Sequence, residues 1–376
     1  MKRLLVKGGK LLDIQNGYRF DQKEMYIESG VIKDIGGDIR PEGECGILEL
    51  AGQIITPGFI DIHTHVYPGK THLGIEPDVV GINTGVTTVF DAGSAGAENF
   101  REFYSDVILK STTGVYSLIN IALSGLERER YELADIKNID VSALKEVVKN
   151  NREHIKGIKA RASATAVGDM GLKPIEMAKK AADELGLPLM VHIGNYPPDI
   201  RDVLNLLDKG DIVTHCFHGK PNGLLDENGN IRKETERAIS RGVLFDIGHG
   251  TSSFNYHTAK KAAQQGFYPD IISTDIYRQN YRGPVYSLAA TVNKIMALGV
   301  GIEECIRKVT AVPAETFGLM GLGQLRAGYS GDLTVFYLKS GPVEFEDSDG
   351  NTFSGVEYIE VTHAVKNGRV IEFKQN

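Results

Sequence analysis

The sequence has little cysteine: only Cys45, Cys216 and Cys305 occur among its 376 residues. Three widely separated cysteines form neither a disulfide framework nor a CxxC metal site, so we expect a reducing compartment and a cytoplasmic location. No continuous apolar run approaches the roughly 18 residues that cross a membrane. At the N-terminus, Lys7 and Lys10 interrupt the apolar run before it could form a secretory signal. These absences favour a soluble protein without a membrane partner.

Basic runs are absent as well, and the net charge is −7, from 42 lysine and arginine against 49 aspartate and glutamate residues. This mildly acidic balance disfavours binding to nucleic acid or to an anionic membrane surface. Apolar residues make up 41% of the chain, which suffices for a large core. The length fits one large barrel-type domain together with a smaller one.

Both ends of the sequence have the pattern of antiparallel β-structure. Residues 1–53 contain short apolar runs separated by turn dipeptides such as Asn16-Gly17. Residues 321–376 show similar runs, among them Ala364–Ile371. We therefore expect one small β-sandwich domain, formed by residues 1–53 plus 321–376, into which the middle of the chain is inserted.

The middle segment, residues 54–320, alternates apolar strand-like runs with helical patterns. Eight βα units in about 260 residues predict an α/β fold, the (β/α)8 TIM barrel, whose strands are buried and nearly all apolar. A doubly wound sheet is the competing fold, but it seldom needs eight strands, and no glycine-rich dinucleotide fingerprint follows any of them. The predicted strands are Ile54–His63, Val86–Phe90, Val115–Ala122, Ile155–Lys159, Leu189–His192, Ile212–His215, Val243–Ile247 and Ile271–Thr274. Helices are predicted over Ile175–Leu185, Asp199–Leu207, Ile231–Ser240 and Val285–Leu298.

The first predicted strand delivers two histidines at its end, in the run Ile60-Asp61-Ile62-His63-Thr64-His65. Residues two apart in a strand point to the same face, so His63 and His65 can reach one metal ion. Imidazole is a good ligand for zinc and the neighbouring transition metals. Taken alone, the pair indicates metal binding without excluding two structural histidines.

Ionisable side chains also stand at the ends of other predicted strands. Strands four, five, six and eight end in Lys159 and Arg161, His192, His215 and Asp275, respectively. In a barrel these ends converge on one face, where the active sites of this fold lie. Each residue also has a structural alternative: a histidine bonded to backbone, an ion-paired lysine or arginine, or an aspartate that caps the next helix. Their arrival at one rim favours a shared metal site.

Three segments resemble the amidohydrolase superfamily, and the resemblance covers nearly the whole chain. Thr56–His65 looks like its strand-one signature, while Thr310–Glu315 and Gly323–Leu333 look like its closing helix and its return to the β domain. The resemblance implies two divalent metal ions, which we expect to be zinc. The implied ligands are His63, His65 and Asp275 for the first ion, His192 and His215 for the second, and a carbamylated Lys159 as the bridge.

The implied mechanism agrees with the chemistry of such a site. A carbamylated lysine is a carboxylate, and one anion between two cations offsets their repulsion. Two ions about 3.5–4 Å apart can bind one hydroxide and lower its pKa towards 7. Asp275 is expected to take the proton as the hydroxide attacks a carbonyl carbon, and then to protonate the leaving nitrogen or oxygen.

Departures from related patterns narrow the expected reaction. Asn195 stands where mononuclear deaminases carry a glutamate, and Tyr67 stands where dihydroorotases usually carry an arginine. The sequence therefore resembles the deacetylase-like branch, often labelled dihydroorotase or adenine deaminase, and we expect it to cleave an acyl group such as acetyl from a small amide or ester. The alternative on the same metal site is cyclic-amide hydrolysis, as in dihydroorotase or hydantoinase, or adenine deamination.

Substrate contacts are expected from polar residues near the strand ends. The candidates are Arg161, His218, His249, Tyr277 and Arg278. The fork of Arg161 suits an anionic group, although a salt bridge to a rim carboxylate is its alternative; the two histidines could instead be surface loop residues. A non-catalytic scaffold is disfavoured because such proteins commonly lose ligands and this sequence keeps all six. The expected partner is a small-molecule substrate, and homo-oligomer formation remains open.

Overall fold

The computed structural model describes residues 3–128 and 130–373, so residues 1–2 and 374–376 of the expected β domain lie outside the described residues. The strands are β1 (Arg3–Lys7), β2 (Lys10–Asp13), β3 (Tyr18–Gln22), β4 (Glu24–Glu28), β5 (Val31–Gly36), β6 (Gly46–Glu49), β7 (Ile54–Pro57), β8 (Phe59–Thr64), β9 (Val86–Asp91), β10 (Gly114–Asn120), β11 (Ile155–Ala162), β12 (Leu189–Ile193), β13 (Ile212–Thr214), β14 (Leu244–Asp246), β15 (Leu333–Glu346), β16 (Thr352–Lys366) and β17 (Arg369–Glu372). The α-helices are α1 (Pro77–Val80), α2 (Phe100–Phe103), α3 (Val141–Asn150), α4 (Ala164–Val167), α5 (Lys173–Leu185), α6 (Ile200–Leu206), α7 (Lys233–Arg241), α8 (Tyr256–Gln264), α9 (Leu288–Met296), α10 (Ile302–Lys308) and α11 (Ala311–Thr316).

Two sheets are built mainly from the chain ends. One has four strands in the order β5-β4-β1-β6, and the other has six strands in the order β17-β16-β15-β7-β2-β3. The six-stranded sheet joins C-terminal to N-terminal strands, because β15 pairs antiparallel with β7. A separate apolar cluster that includes Val6, Met25 and Val335 fills this part of the molecule. The predicted small β domain formed from both ends is thereby confirmed.

The middle of the chain forms a parallel sheet in sequence order, β8 to β14. The segment after β14 closes it, with single parallel bridges from Asp246 to Ile271 and from Thr64 to Ile276. The predicted eighth strand is therefore irregular, since the Thr274 backbone N–H is bonded to the side-chain carboxylate of Asp61 in β8 (3.1 Å) instead of to a backbone carbonyl group. The predicted TIM-barrel fold is confirmed, and the second to the seventh predicted strands correspond to β9 to β14 within three residues at each end.

The single strand predicted over Ile54–His63 is wrong, because the chain changes sheets at Gly58. β7 pairs with β2 and β15 in the small domain, whereas β8 pairs with β9 in the barrel. A side chain at Gly58 would place its Cβ 2.1 Å from the Thr87 hydroxyl oxygen, so only glycine permits this close crossing. The small sheet thus extends past residue 53, and we propose Gly58 as the domain boundary.

β15 and β16 form a long hairpin, far longer than the short apolar runs visible in the sequence. Its tip, residues 347–351, reaches the barrel next to the segment that follows β14. The run Ala364–Ile371 is split between β16 and β17 by a turn at Asn367 and Gly368, whose φ values of 52° and 74° suit an Asn-Gly hairpin turn.

The helices surround the barrel, and the four predicted from the sequence are present as α5, α6, α7 and α9. α6 begins after Asp199, whose carboxylate accepts a hydrogen bond from the Arg201 N–H (2.9 Å). α9 starts later than predicted because Ser287 caps it, its hydroxyl oxygen accepting from the Ala290 N–H (3.1 Å). Among the described residues, no helix has the length and apolar character needed to cross a membrane.

Candidate metal centre

His63 and His65 converge with Asp275 at the end of β8. The Asp275 carboxylate oxygen Oδ1 lies 3.4 Å from His63 Nε2 and 3.1 Å from His65 Nε2. The candidate ligand atoms of the three residues all lie within 4.8 Å of one another. Asp275 adopts an unusual φ of +48°, and the Asn280 side-chain amide donates to its carbonyl oxygen (2.9 Å). Two imidazoles and one carboxylate form a candidate site for a transition metal ion.

Lys159 lies in β11 with its ammonium group inside the barrel, and the residue is only 2% exposed. Its Nζ is 3.0 Å from His63 Nε2 and 3.2 Å from the Met190 sulfur. Burial lowers the pKa of Lys159 to about 7, because the site solvates the charged form poorly. A neutral amine is therefore accessible near neutral pH.

His192 and His215 form the second pair of imidazoles. His192 Nδ1 and His215 Nε2 are 2.8 Å apart, and the two rings are nearly perpendicular. The ring centroids of His215 and His63 lie 5.1 Å apart, which joins this pair to the first group. The structure thus brings together all six residues that the sequence proposed as metal ligands.

The protonation states of the cluster suit cation binding. Burial, and then the charge of Lys159, holds the pKa of His63 well below its usual value. Burial likewise lowers the pKa of His215 to about 3, although Asp275 opposes that shift. For Asp275, burial by itself raises the pKa, but the hydrogen bond with His65 and the attraction of the neighbouring basic groups outweigh it, and the net pKa is lowered. Neutral imidazoles beside an ionised carboxylate are the forms in which these groups bind metals.

Hydrogen bonds behind the cluster fix the orientation of the rings. The Thr214 hydroxyl donates to an Asp246 carboxylate oxygen (2.6 Å), so it accepts from the Nδ1–H of His63 (2.9 Å). His215 donates from Nδ1 to the Gly248 carbonyl oxygen (2.6 Å). In both rings the lone pair is left on Nε2, which faces the cluster. Sequence reasoning missed Thr214 and Asp246; their only signal is polar residues at the end of buried barrel strands.

A cavity of about 330 Å³ opens above this cluster. Five of the six cluster residues line it: His63, His65, Lys159, His192 and Asp275. Its other walls are formed by His72, Leu73, Ala92, Leu126, Arg130, Arg161, Thr165, Thr251, Ser252, Ser253 and Tyr277. Arg161 and Tyr277 thus lie where a substrate would contact them. Arg130 and the Thr251–Ser253 segment were missed, because nothing in their local sequence distinguishes them from ordinary loop residues.

Arg161 both lines the cavity and faces a carboxylate. Its Nε lies 3.3 Å from Oε1 of Glu132, which is fully buried. The two groups are at ion-pair distance but do not form an aligned hydrogen bond. Burial raises the pKa of Glu132, and the charge of Arg161 opposes this. Arg161 therefore lies at ion-pair distance from Glu132 and also lines the cavity, so the structure agrees with both roles considered for it.

The remaining three proposed contacts do not line this cavity as described. His249 is fully buried, and Nζ of Lys294 lies 2.8 Å from its Nε2. His218 is also buried, and its Nδ1 accepts from the Lys220 N–H (3.1 Å). Neither is a surface loop residue. Arg278 is exposed. Substrate contact by these three residues stays a prediction.

The site and fold match known proteins along nearly the whole chain. The amidohydrolase family model matches residues 54–371. A deacetylase from Enterococcus faecalis is 39% identical over 98% of this chain and 99% of its own length, and a deacetylase from Agrobacterium fabrum is 36% identical over 89% and 83%. Two solved structures, titled as an adenine deaminase and a dihydroorotase, superpose with TM-scores of 0.92 at 39% and 33% identity; they cover 98% and 99% of this chain, and the matches span 99% and 98% of theirs. The chain belongs to the amidohydrolase family and is a hydrolase.

Proposed function

We propose that the protein removes an acyl group, acetyl in the first instance, from a small amide or ester. The observation that carries this proposal is the convergence of six ligand-type side chains beneath a cavity large enough for a metabolite. The relatives named deacetylases support the choice of an acyl group.

Two divalent ions, expected to be zinc, and a carbamylated Lys159 are part of the proposal. His63, His65 and Asp275 would hold one ion, and His192 and His215 would hold the other. The low pKa of Lys159 supports the modification, because only the neutral amine reacts with CO₂. When bound, the ions supply a Lewis acid for the carbonyl oxygen and lower the pKa of the attacking water.

Asp275 is the proposed proton carrier. Its lowered pKa keeps it ionised at neutral pH, so it can accept the proton of the attacking water. The same oxygen can then deliver that proton to the nitrogen or oxygen that leaves. The 3.1 Å contact with His65 Nε2 and the bond from Asn280 to its backbone support a fixed position for this carboxylate.

The walls of the cavity favour an anionic substrate. Arg130 and Arg161 both contribute to the lining, and a guanidinium group suits a carboxylate because it can donate two parallel hydrogen bonds. Tyr277 contacts the Thr251 hydroxyl across the wall, which supports a role in shaping the cavity rather than in proton transfer. We propose a carboxylate-bearing acyl compound as the substrate class. A cytoplasmic location and a homo-oligomer stay predictions.

The experiment is a substrate screen with the metal-loaded protein. N-acetyl amino acids and acetyl esters of hydroxy acids should release acetate, and the metal content should be close to two ions per chain. After equilibration with ¹³C-bicarbonate, a carbamate signal should appear in the ¹³C NMR spectrum of the wild type and be absent from Lys159→Ala. Failure to hydrolyse any acyl compound by a protein that holds its metal would overturn the proposal.

Cyclic-amide hydrolysis or adenine deamination is the second candidate, supported by the titles of the two similar solved structures. Two residues weigh against it. Asn195 is exposed and cannot act as a carboxylate proton carrier, and Tyr67 is buried with its hydroxyl bonded to the Asn99 carbonyl oxygen (3.3 Å). Adding adenine, dihydroorotate and hydantoin to the screen decides between the two: turnover of these compounds alone would favour the second candidate.

A further inference from the structure

The hairpin of the small β domain contacts the barrel loop that follows β14. At the hairpin tip, residues 347–351, the Ser348 hydroxyl lies 2.9 Å from the Gly250 carbonyl oxygen and 3.1 Å from that of His249. The Ser348 N–H donates to the Phe254 carbonyl oxygen (2.9 Å). The Ser348 hydroxyl also accepts from the Phe254 N–H (3.3 Å), so one residue of the small domain makes four contacts with the backbone of this loop.

Neighbouring contacts hold the hairpin tip in place. The Asp347 carboxylate is 1% exposed and accepts from the Tyr256 N–H (2.8 Å) at the start of α8. The rings of Tyr256 and Phe353 stack with their centroids 3.9 Å apart. The Asn255 side-chain amide donates to Asp349 (2.7 Å). These contacts on both sides of Ser348 hold the hairpin tip against the loop.

The other side of the same loop faces the metal centre. Its residues Thr251, Ser252 and Ser253 line the cavity. The Gly250 N–H donates to the Thr274 carbonyl oxygen (2.8 Å), and a Cβ at Gly250 would lie 2.5 Å from an Asp275 carboxylate oxygen. A small displacement of the Gly250 peptide would therefore alter both the cavity wall and the space beside Asp275.

His249, which is bonded to the buried Lys294, makes a second contact with the Gly250 carbonyl group. Lys294, 2% exposed, donates from Nζ to His249 Nε2 (2.8 Å) and to the Pro284 carbonyl oxygen (2.6 Å). Because His249 Nε2 accepts, its proton is on Nδ1, which donates to the Gly250 carbonyl oxygen (2.9 Å). Ser348 and His249 thus both direct donors at one carbonyl group, and only Ser348 comes from the small domain.

We propose that the hairpin tip, through Ser348, is a positioning element that sets the width of the substrate cavity at its Thr251–Ser253 wall. The small β domain thereby takes part in substrate selection without contacting the substrate. This inference rests on the proposed function only for the identity of the substrate; the positioning itself is a property of the loop.

The first test measures the loop without any substrate. In metal-loaded protein, amide hydrogen exchange of residues 250–256 should be about tenfold or more faster in Ser348→Ala than in wild type, as expected when the hydroxyl that bonds the Gly250 carbonyl oxygen and the Phe254 N–H is lost. Ser354→Ala is the matched control, because Ser354 is an exposed serine of the same hairpin; it should leave the exchange unchanged. Asp349→Ala removes the contact with Asn255 and should accelerate the exchange less. Equal exchange in Ser348→Ala and Ser354→Ala would overturn the proposal.

The second test compares N-acetylglycine with N-acetylphenylalanine as probes. Ser348→Ala should raise KM by several fold, and unequally for the two probes, with a smaller change in kcat than in KM and with the metal content of wild type. A merely structural role would instead lower kcat equally for both through a loss of active protein, and that result would contradict the proposal. Failure of wild type to hydrolyse either probe concerns the proposed function, and the exchange experiment then decides the present inference alone.

Discussion

The six candidate metal ligands at the floor of the cavity lie in barrel strands or at their C-terminal ends, whereas most of the wall above them comes from loops. His63 and Lys159 belong to β8 and β11 and are almost completely buried. Thr251 and Arg130 come from loops, and part of the wall is held by a hairpin of the other domain. Strands that pair with two neighbours allow little displacement, while loops depend on a few specific contacts.

We therefore expect the floor of the site to determine catalysis and the wall to determine which substrate binds. Changes at the floor should affect metal binding and turnover for every substrate, because all substrates meet the same cluster. Changes in the wall should affect which substrate binds, with the metal retained. The predictions below test this division.

The largest effect is expected for Lys159→Ala. Loss of the proposed bridging anion should lower kcat/KM by about 10³-fold or more and reduce the metal content below the expected two ions per chain, because the charge stabilisation that bound metals supply is worth several kcal/mol. Kinetics and elemental analysis measure both quantities. Lys156→Ala is the control, since Lys156 lies on the same strand but extends over the ring of Tyr116. An active Lys159→Ala protein with full metal content would contradict the division.

A smaller effect is expected for Thr214→Val, which removes the hydroxyl that orients His63. Metal affinity or activity should fall by about 10- to 100-fold, the usual result of losing a partner behind a metal ligand. Metal titration with a competing chelator measures the affinity. Thr214→Ser keeps the hydroxyl and should restore most of it; equal losses in the valine and serine variants would point to packing instead of orientation.

The wall is tested by Arg161→Lys, which keeps the charge opposite Glu132 but removes the planar fork. KM for a carboxylate-bearing acyl substrate should rise about tenfold, the lower range for a hydrogen bond to a charged group. Hydrolysis of a neutral acetyl ester serves as the internal control and should stay near the wild-type rate. Equal losses with both substrates would assign Arg161 to the floor rather than to the wall.

The smallest effect concerns the stability of the chelator-treated protein. The pKa of Lys159 is about 7 in the folded protein, against the usual lysine value of 10.5 in the unfolded chain, so between these pH values the unfolded chain binds more protons. Stability from this residue therefore rises with pH, by about 1 kcal/mol between about pH 7 and pH 8. Denaturant unfolding at the two pH values measures it. Lys159→Met should lack this part of the slope, and an unchanged slope would show that the lysine is solvated.

The floor of the site was predictable because its signal is local. His63 and His65 are separated by one residue, and the other ligands stand at the ends of apolar runs, so the barrel rule places them together. The bonds behind them were not predictable, since Thr214 and Asp246 meet His63 only after three strands have assembled. The wall was less predictable still, because Ser348 acts across 98 positions of sequence.

Two errors in the predicted fold have the same physical origin. The strand predicted through Gly58 and the regular eighth strand were both inferred from apolar composition, which does not report which backbone groups are bonded. The Gly58 N–H donates to the Asp332 carbonyl oxygen (2.8 Å), and the Thr274 N–H is bonded to the side chain of Asp61. Long-range bonds of this kind decide where a strand ends.

The crossing at Gly58 bears on the order in which the chain folds during its synthesis. β8, which carries His63 and is followed directly by His65, starts from the bond between Gly58 N–H and the Asp332 carbonyl oxygen and from a second one, Phe59 N–H to the Thr334 hydroxyl oxygen (2.9 Å). Thr334 lies 275 positions after Phe59, so the start of β8 lacks these two bonds until most of the chain has been synthesised. We therefore expect the candidate metal site to reach its final form late in synthesis.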